Sequence, residues 1–319
     1  MQEPKEQYFS EQGVSDWQLS DVVSELRKVR EAWREEYLQG RYLDKRLLPS
    51  RTNISEITEA LFKVLYPMRL GTSEIKKEGE DFYVGHLLAV SLDKLTEEAQ
   101  LELHYQSAGK DIGVSDITEV AQQRIRQFAS RLPVIRQRID KDIFAAWQGD
   151  PSARSLDEIL LCYPGIHAVI HYRLAHELYD LGLTLLARII TEKAHGETGI
   201  DIHPGAQIDS GFFIDHGTGV VIGETAVIGK RVRLYQAVTL GAKRFLTDDD
   251  GQLKKNYPRH PVIEDDVVIY AGATLLGRIT IGARSSIGGN IWLTHDVPPD
   301  SNVRQAQARQ NKFNDGDGI

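Results

Sequence analysis

An aliphatic side chain recurs every sixth residue through the last third of this chain, at Ile263, Ile269, Leu275, Ile281, Ile287 and Leu293. The same beat runs through Ile222, Ile228, Leu234 and Leu240, and through Ile202, Ile208 and Ile214. Neither a helix, with its period of 3.6, nor a flat strand, with its period of two, produces it. It fits a coil of three short flat sides, about 18 residues around, in which one aliphatic per side fills the interior and successive coils stack. The fourth residue after each beat supports this: Ala206, Phe212, Thr218, Ala226, Val232, Val238, Val267, Ala273, Ile279, Ser285 and Ile291 are mostly small or β-branched. The spacing therefore predicts a left-handed parallel β-helix of hexapeptide repeats.

The rest of the chain obeys another period. Apolar residues recur at three and four over about 17–38, 54–66, 85–105, 115–147 and 155–194, which predicts helices there. Ser115 and Ser155 are expected as N-caps, and Glu158, three residues after Ser155, would complete a capping box. The changeover lies at KAHGETGIDIHPG. The fold class expected is α+β: a helical domain over 1–198, the β-helix over 199–300 with an excursion at 241–262, and a polar tail over 301–319.

A formal charge of −8 disfavours nucleic acid or an anionic membrane as partner. No apolar run approaches the roughly 18 residues of a membrane span, and the first residues, MQEPKEQYFSEQ, lack a basic-then-apolar leader pattern. The single cysteine, Cys162, excludes an intramolecular disulfide. It fits a reducing cytoplasm, and its neighbours Ile159, Leu160 and Leu161 predict a buried thiol. A soluble cytoplasmic protein is expected.

The repeat breaks twice, at a two-residue slip between Ile214 and Ile222 and at the excursion between Leu240 and Ile263, and each break carries a histidine. Loops that interrupt a fully packed solenoid are where function can be housed. His216 follows Asp215 at the slip, and Asp201 lies 15 residues earlier, near a full coil away. Spacing leaves two readings open: a general base oriented by a carboxylate, or a polar corner beside a turn former. Arg259-His260 ends the excursion, where a forked guanidinium could take a carboxylate or simply face solvent. His203 reads as shaping the turn before Pro204, while His167, His171, His176 and His195 read as ordinary helix histidines. A trigonal zinc site of His203, His216 and His260, as in hydratases of this architecture, is disfavoured by the adjacent Arg259 cation, so no metal is expected.

Several further segments belong together: Gly149-Asp150-Pro151-Ser152-Ala153, Tyr163-Pro164-Gly165, Tyr172-Arg173-Leu174-Ala175-His176 and Gly199-Ile200-Asp201-Ile202-His203-Pro204-Gly205-Ala206. Further along follow Ile214-Asp215-His216-Gly217-Thr218-Gly219, Ile222-Gly223-Glu224-Thr225-Ala226, Gln236-Ala237-Val238-Thr239-Leu240-Gly241 and Arg259-His260-Pro261. In this order, over roughly 145–300, they resemble the serine O-acetyltransferases in their longer bacterial form.

The resemblance implies an enzyme that passes acetyl from acetyl-CoA, a co-substrate rather than a tightly bound cofactor, to the hydroxyl of L-serine in cysteine biosynthesis. It puts the base on His216 with Asp201 as partner, a second active-site histidine on His260, and serine-binding groups on Asp150, Asp215 and Arg259. Coenzyme A contacts fall on Gly241, Ala242, Ala271 and Gly289, along a groove between neighbouring β-helices. A homotrimer or dimer of trimers is implied, as is docking of the last residue, Ile319, into O-acetylserine sulfhydrylase. The alternatives are an acetyltransferase with another acceptor, such as homoserine or an amino sugar, and a non-catalytic scaffold that binds the sulfhydrylase.

Overall fold

The computed structural model describes residues 19–37, 48–107, 114–244, 246–248, 251–255 and 257–305. Two compact units are distinguished: helix α1 (Leu19–Tyr37) lies in one and every later element in the other. On α1, Leu19, Val22, Leu26, Val29 and Trp33 recur at helical spacing and are exposed.

The larger unit begins with α2 (Arg51–Leu65), α3 (Pro67–Leu70), α4 (Glu80–Gln106) and α5 (Val114–Gly149), followed by α6 (Leu156–Cys162), α7 (Pro164–Asp180) and α8 (Thr184–Thr198). Where one helix is expected over 155–194 there are three. Tyr163, before Pro164, is extended (ψ 116°), as the proline ring's clash with the preceding residue requires, and the chain turns again around Gly182. Ser155 caps α6 by accepting from Glu158 N at 3.0 Å, but the Glu158 carboxylate takes Arg154 N rather than closing the box on Ser155. Helix α5 already begins at Val114, ahead of the expected Ser115 cap. Cys162 is exposed, contrary to expectation, because α6 turns Ile159 and Leu160 inward and Leu161 and Cys162 outward.

After Gly199 the chain winds into the β-helix. Three-sided coils are built from β1 (Asp201–Ile202), β2 (Gln207–Ile208) and β3 (Phe213–Ile214), then β4 (Val221–Ile222), β5 (Val227–Ile228) and β6 (Arg233–Leu234). Next come β7 (Thr239–Gly241), β8 (Val262–Ile263), β9 (Val268–Ile269), β10 (Thr274–Leu276), β11 (Thr280–Ile281), β12 (Ser286–Ile287), β13 (Trp292–Leu293) and β14 (Asn302–Val303). Strands three apart pair in parallel, with β14 following β12 at the end, giving side A (β1-β4-β7-β10-β13), side B (β2-β5-β8-β11) and side C (β3-β6-β9-β12-β14). Ile202, Ile222, Leu240, Leu275 and Leu293 stand in register along side A, so the six-residue beat is the stack of buried side chains along the axis.

At the slip the expected corner filler is corrected. Thr218 is exposed and Val220 is buried in its place, since two extra residues enter between β3 and β4. They are accommodated by left-handed backbone at His216 (φ 61°), Gly217 (φ 87°) and Gly219 (φ 80°). A side chain on Gly217 would stand 2.4 Å from Ile200 Cδ1, so glycine there serves both the turn and the packing.

Helix α7 is pegged to the first coil. Arg173, 3% exposed, donates from Nε to Asp142 Oδ2 (3.0 Å) and from Nη2 to Asp142 Oδ1 (3.1 Å), and also to the carbonyls of Ile208 and Asp209. Asp142 Oδ1 in turn accepts from Phe212 N at 2.8 Å. Tyr172 donates its hydroxyl to Ala206 O (2.6 Å) and accepts from Ile208 N (3.1 Å). The buried Arg173–Asp142 ion pair is costly to halve, about 3–5 kcal/mol when one partner is removed, because a buried charge is left alone. This pegging holds the end of α5, with Asp150 just beyond it, beside side C.

Candidate active site

Two groups of polar residues stand at different corners of the coil. The first occupies the corner from side C to side A. Asp215 and His216 follow β3 there, with Tyr235 and Tyr270 at the same corner of later coils, stacked at 5.1 Å. His216 is largely exposed, its ring centre 6.5 Å from that of Tyr235 and its Nδ1 3.7 Å from Asp215 Oδ1. Asp215 is buried, and its other oxygen accepts from Arg233 Nη2 at 2.5 Å.

Arg233 is a residue that sequence reasoning missed. It projects from β6 at an outward position of the repeat, where a charge reads as solvated. Yet Nη1 donates to the Gly149 carbonyl at the end of α5 (2.5 Å), and its guanidinium lies 4.6 Å from the Tyr235 ring centre and 5.0 Å from that of Phe213. It therefore couples Asp215 to the end of α5, which Asp150 follows directly. Asp150 accepts from Tyr163 Oη (2.5 Å) and from Ser152 N and Oγ (2.8 and 2.7 Å), and these donors hold its carboxyl below the usual range, so it is ionised near neutrality.

Asp201 reaches this corner through its backbone, donating N–H to Val220 O at 2.9 Å. Its carboxylate gathers with Glu192 and His195, their ligand atoms within 4.8 Å of one another. Among the described residues no hydrogen bond or ion pair joins Asp201 to His216; Asp215 is the carboxylate in ion-pair range.

The second group occupies the corner from side A to side B, where the excursion leaves after β7 and returns before β8. His260 is 7% exposed, lying over Gly223, where an added Cβ would be 2.1 Å from both Nε2 and Cδ2. Glycine at 223 is thus a requirement of the ring itself. His260 Nδ1 accepts from Thr225 N at 3.1 Å, with Thr225 Oγ1 at 2.9 Å, so in the neutral ring the proton sits on Nε2. Burial, then the neighbouring Arg259 charge, pushes the His260 pKa down to about 4, which keeps the ring neutral. Arg259 donates to Glu224, which also accepts from Tyr179 Oη at 3.0 Å. His203 shapes its turn as expected, its Nδ1 accepting from Gly205 N at 3.0 Å.

The residues expected to touch coenzyme A divide in the same way. Gly241 and Ala242 lie where the excursion departs, whereas Ala271 and Gly289 stack on consecutive coils at the His216 corner, a Cβ on Gly289 falling 3.1 Å from Ala271 O. The three histidines of the zinc reading do not converge, since His203 and His260 share one corner and His216 stands at another. Ile319 lies outside the described residues. Chemically, one corner offers an accessible imidazole backed by a carboxylate, and the other a fixed neutral imidazole donor beside an arginine.

No protein-family model matches the chain. It is 50% identical over 307 residues, 95% of each chain, to a plasmid-encoded serine acetyltransferase of Synechococcus elongatus. The crystal structure of serine acetyltransferase isoform 3 from Entamoeba histolytica in complex with cysteine superposes with a TM-score of 0.68 at 33% identity, covering 93% of this chain and 96% of that one. The serine acetyltransferase of Neisseria gonorrhoeae in complex with serine superposes with a TM-score of 0.50 at 28% identity, covering 80% and 97%. Among the described residues no helix is long and apolar enough to cross a membrane.

Proposed function

The chain belongs to the serine acetyltransferases, and from that premise we propose that His216 is the general base of a site completed by a second copy of the chain. The enzyme transfers the acetyl group of acetyl-CoA, its co-substrate, to the hydroxyl of L-serine. His216 takes the hydroxyl proton as the serine oxygen attacks the thioester carbon; the carbon–sulfur bond breaks, and the imidazolium returns the proton to the departing thiolate. Nδ1 faces Asp215, which favours the tautomer whose Nε2 lone pair is free for the substrate. Asp201, on the same corner, becomes the carboxylate partner once the exposed His216 ring turns toward it.

His260 supplies a hydrogen-bond donor through Nε2–H, held by Thr225 and aimed at the developing oxyanion. Arg259 takes the serine carboxylate, exchanging part of its hold on Glu224, while Asp150 and Asp215 face the ammonium. This pattern of one cation and two anions selects a zwitterion.

The observation that carries the reading is the separation of the two groups. His216, Ala271 and Gly289 stand at one corner and Arg259, His260, Gly241 and Ala242 at another, so a site needing both is formed when the first corner of one copy meets the second corner of its neighbour. A ring of three closes this head-to-tail contact. Mixing the variants His216→Ala and His260→Ala tests it: each alone is inactive, and co-assembled chains recover about one quarter of wild-type activity, the fraction of contacts that unite two intact residues. No recovery in demonstrably mixed oligomers refutes the arrangement.

We further assign the chain to the cytoplasm, in keeping with its single exposed thiol. Its partner is O-acetylserine sulfhydrylase, reached by Ile319; removal of that residue abolishes co-elution while sparing acetyl transfer, and undiminished co-elution would reject it.

A further inference from the structure

On the helical side, outside both groups of polar residues described above, α7 and α8 bring three ligand-type side chains together. His167 and His171 are four residues apart on α7, the spacing that puts two imidazoles on one helix face. Glu197 comes from the last turn of α8, and one ligand atom from each of the three lies within 4.8 Å of the other two. None of them takes part in acetyl transfer.

His171 is the informative member. It is fully buried, and its Nδ1 lies 2.9 Å from the His167 carbonyl oxygen. A carbonyl only accepts, so Nδ1 carries the proton and Nε2 is a bare lone pair. That lone pair is buried and has no hydrogen-bond partner among the described residues. An imidazole that donates one nitrogen to a backbone carbonyl and leaves the other free has the arrangement of metal-bound histidines.

The surroundings fit. His167 Nε2 lies 2.9 Å from Glu197 Oε2, and Lys193 Nζ straddles the same carboxylate, 2.8 Å from Oε1 and 3.0 Å from Oε2, while also pairing with Glu59 at 2.9 Å. The ring of Phe62 meets His167 and His171 edge-on, with centres 5.7 and 4.6 Å apart, which restricts both imidazoles. A cleft of about 380 Å3, whose walls include Lys193 and Glu197, gives solvent access to the carboxylate side. Metal–ligand bonds of about 2.0–2.1 Å need tetrahedral ligand atoms roughly 3.4 Å apart, so the 2.9 Å His167–Glu197 pair opens slightly while any wider pair, all within 4.8 Å, closes.

We propose that His167, His171 and Glu197 bind a divalent transition-metal ion of the zinc class, pinning the start of α7 to the end of α8. Two imidazole nitrogens and one carboxylate oxygen suit zinc and its neighbours rather than calcium or magnesium, which prefer oxygen. The remaining position falls to water, and the Lys193 ammonium, which holds both Glu197 oxygens without the ion, gives them up on binding and keeps its pair with Glu59. The pinned ends are those that lead from Tyr163, which holds Asp150, and toward Asp201, so the ion stiffens the frame behind the first corner.

The test uses the full chain, stripped of metal and titrated with Zn2+ against a chromogenic chelator, with Co2+ absorption as a second readout. One equivalent per chain is expected to bind at low-micromolar concentration or tighter, and to raise the melting temperature. His167→Asn and Glu197→Gln, at partly exposed positions, should each fold, as judged by circular dichroism, and should each weaken binding by at least about tenfold and remove the thermal shift. His195→Asn, in the neighbouring acidic cluster, should leave affinity unchanged. Equal affinity in wild type, His167→Asn and Glu197→Gln overturns the proposal, as does the lack of saturable binding below millimolar Zn2+.

Discussion

Replacing Gly223 by alanine is a one-carbon change whose effect follows from the position of His260. The new Cβ would stand 2.1 Å from Nε2 and Cδ2 and 2.8 Å from Cε1. Carbon contacts are comfortable from about 3.5 Å, so the ring must retreat by roughly 1.4 Å. The backbone cannot yield instead, because Gly223 donates to Leu240 O at 3.1 Å and accepts from Ala226 N at 3.0 Å within the stacked coils. The ring's retreat breaks its contacts to Thr225 N and Oγ1, each worth about 1 kcal/mol, so a stability loss of about 2 kcal/mol is expected. A displacement of an ångström in a positioned group costs on the order of 10²-fold in rate. If Nε2–H serves the oxyanion, the loss falls on kcat and leaves KM for serine within a few-fold. Thiol release from acetyl-CoA measures the rate, and urea unfolding measures the stability. A destabilised Gly223→Ala enzyme with kcat within threefold of wild type would refute the role given to His260 and leave it a packing residue.

Acid should destabilise the chain through two rings held neutral at one corner. Burial first, then nearby arginines, pushes His203 and His260 down to about 4 from an ordinary 6.5, so the folded state binds fewer protons than the unfolded one between those values. Their contribution is present above pH 6.5 and lost as the pH falls toward 4, by about 1 kcal/mol per ring at pH 5 once solvent screening is allowed for. Urea midpoints for wild type and His260→Asn at pH 7 and 5 check it, and an equal pH-dependence in both would contradict it. At the other corner, Asp215→Asn and Asp201→Asn separate the two carboxylates. If Asp201 orients His216 during turnover, its amide variant should lose kcat by about 10²–10⁴-fold with little change in KM for serine. Asp215→Asn should also raise that KM, because the same carboxylate faces the ammonium. An Asp201→Asn enzyme of wild-type kcat would leave Asp215 as the sole partner of His216.

The parts of this molecule that a reader of the sequence could foresee are those governed by local period. The inward beat from Ile202 to Leu293 reports one burial event per side of the coil, so strand positions and the α+β division follow from it. The helix breaks were less visible, since the apolar pattern runs on through Pro164 and Gly182 and only backbone sterics stops it. His216 and His260 stand out as candidates because they interrupt the repeat, and Cys162 misled because its apolar neighbours are split between two faces of a short helix. Arg233, Asp142 and Arg173 carry no such sign. Their partners are 84, 70 and 31 residues or more apart in contacts such as Arg233 to Gly149, Asp142 to Phe212 and Arg173 to Asp142. Nothing in a repeat register distinguishes a charge facing water from one that another segment will cover.

The excursion has a consequence for how such a protein can change. Leu240 and Ile263 are 23 positions apart in the chain yet fill consecutive inward places in the stack, so the coil keeps count as though the intervening residues were absent. A segment spliced in at a corner alters no register on either side, and doubling its length costs only about 0.6 kcal/mol of closure entropy. The same two ends deliver Gly241 and Ala242 on departure and Arg259 and His260 on return. Lengthening, shortening or exchanging what lies between them can therefore remodel the surface beside His260 while that histidine, locked to Thr225, stays where it is.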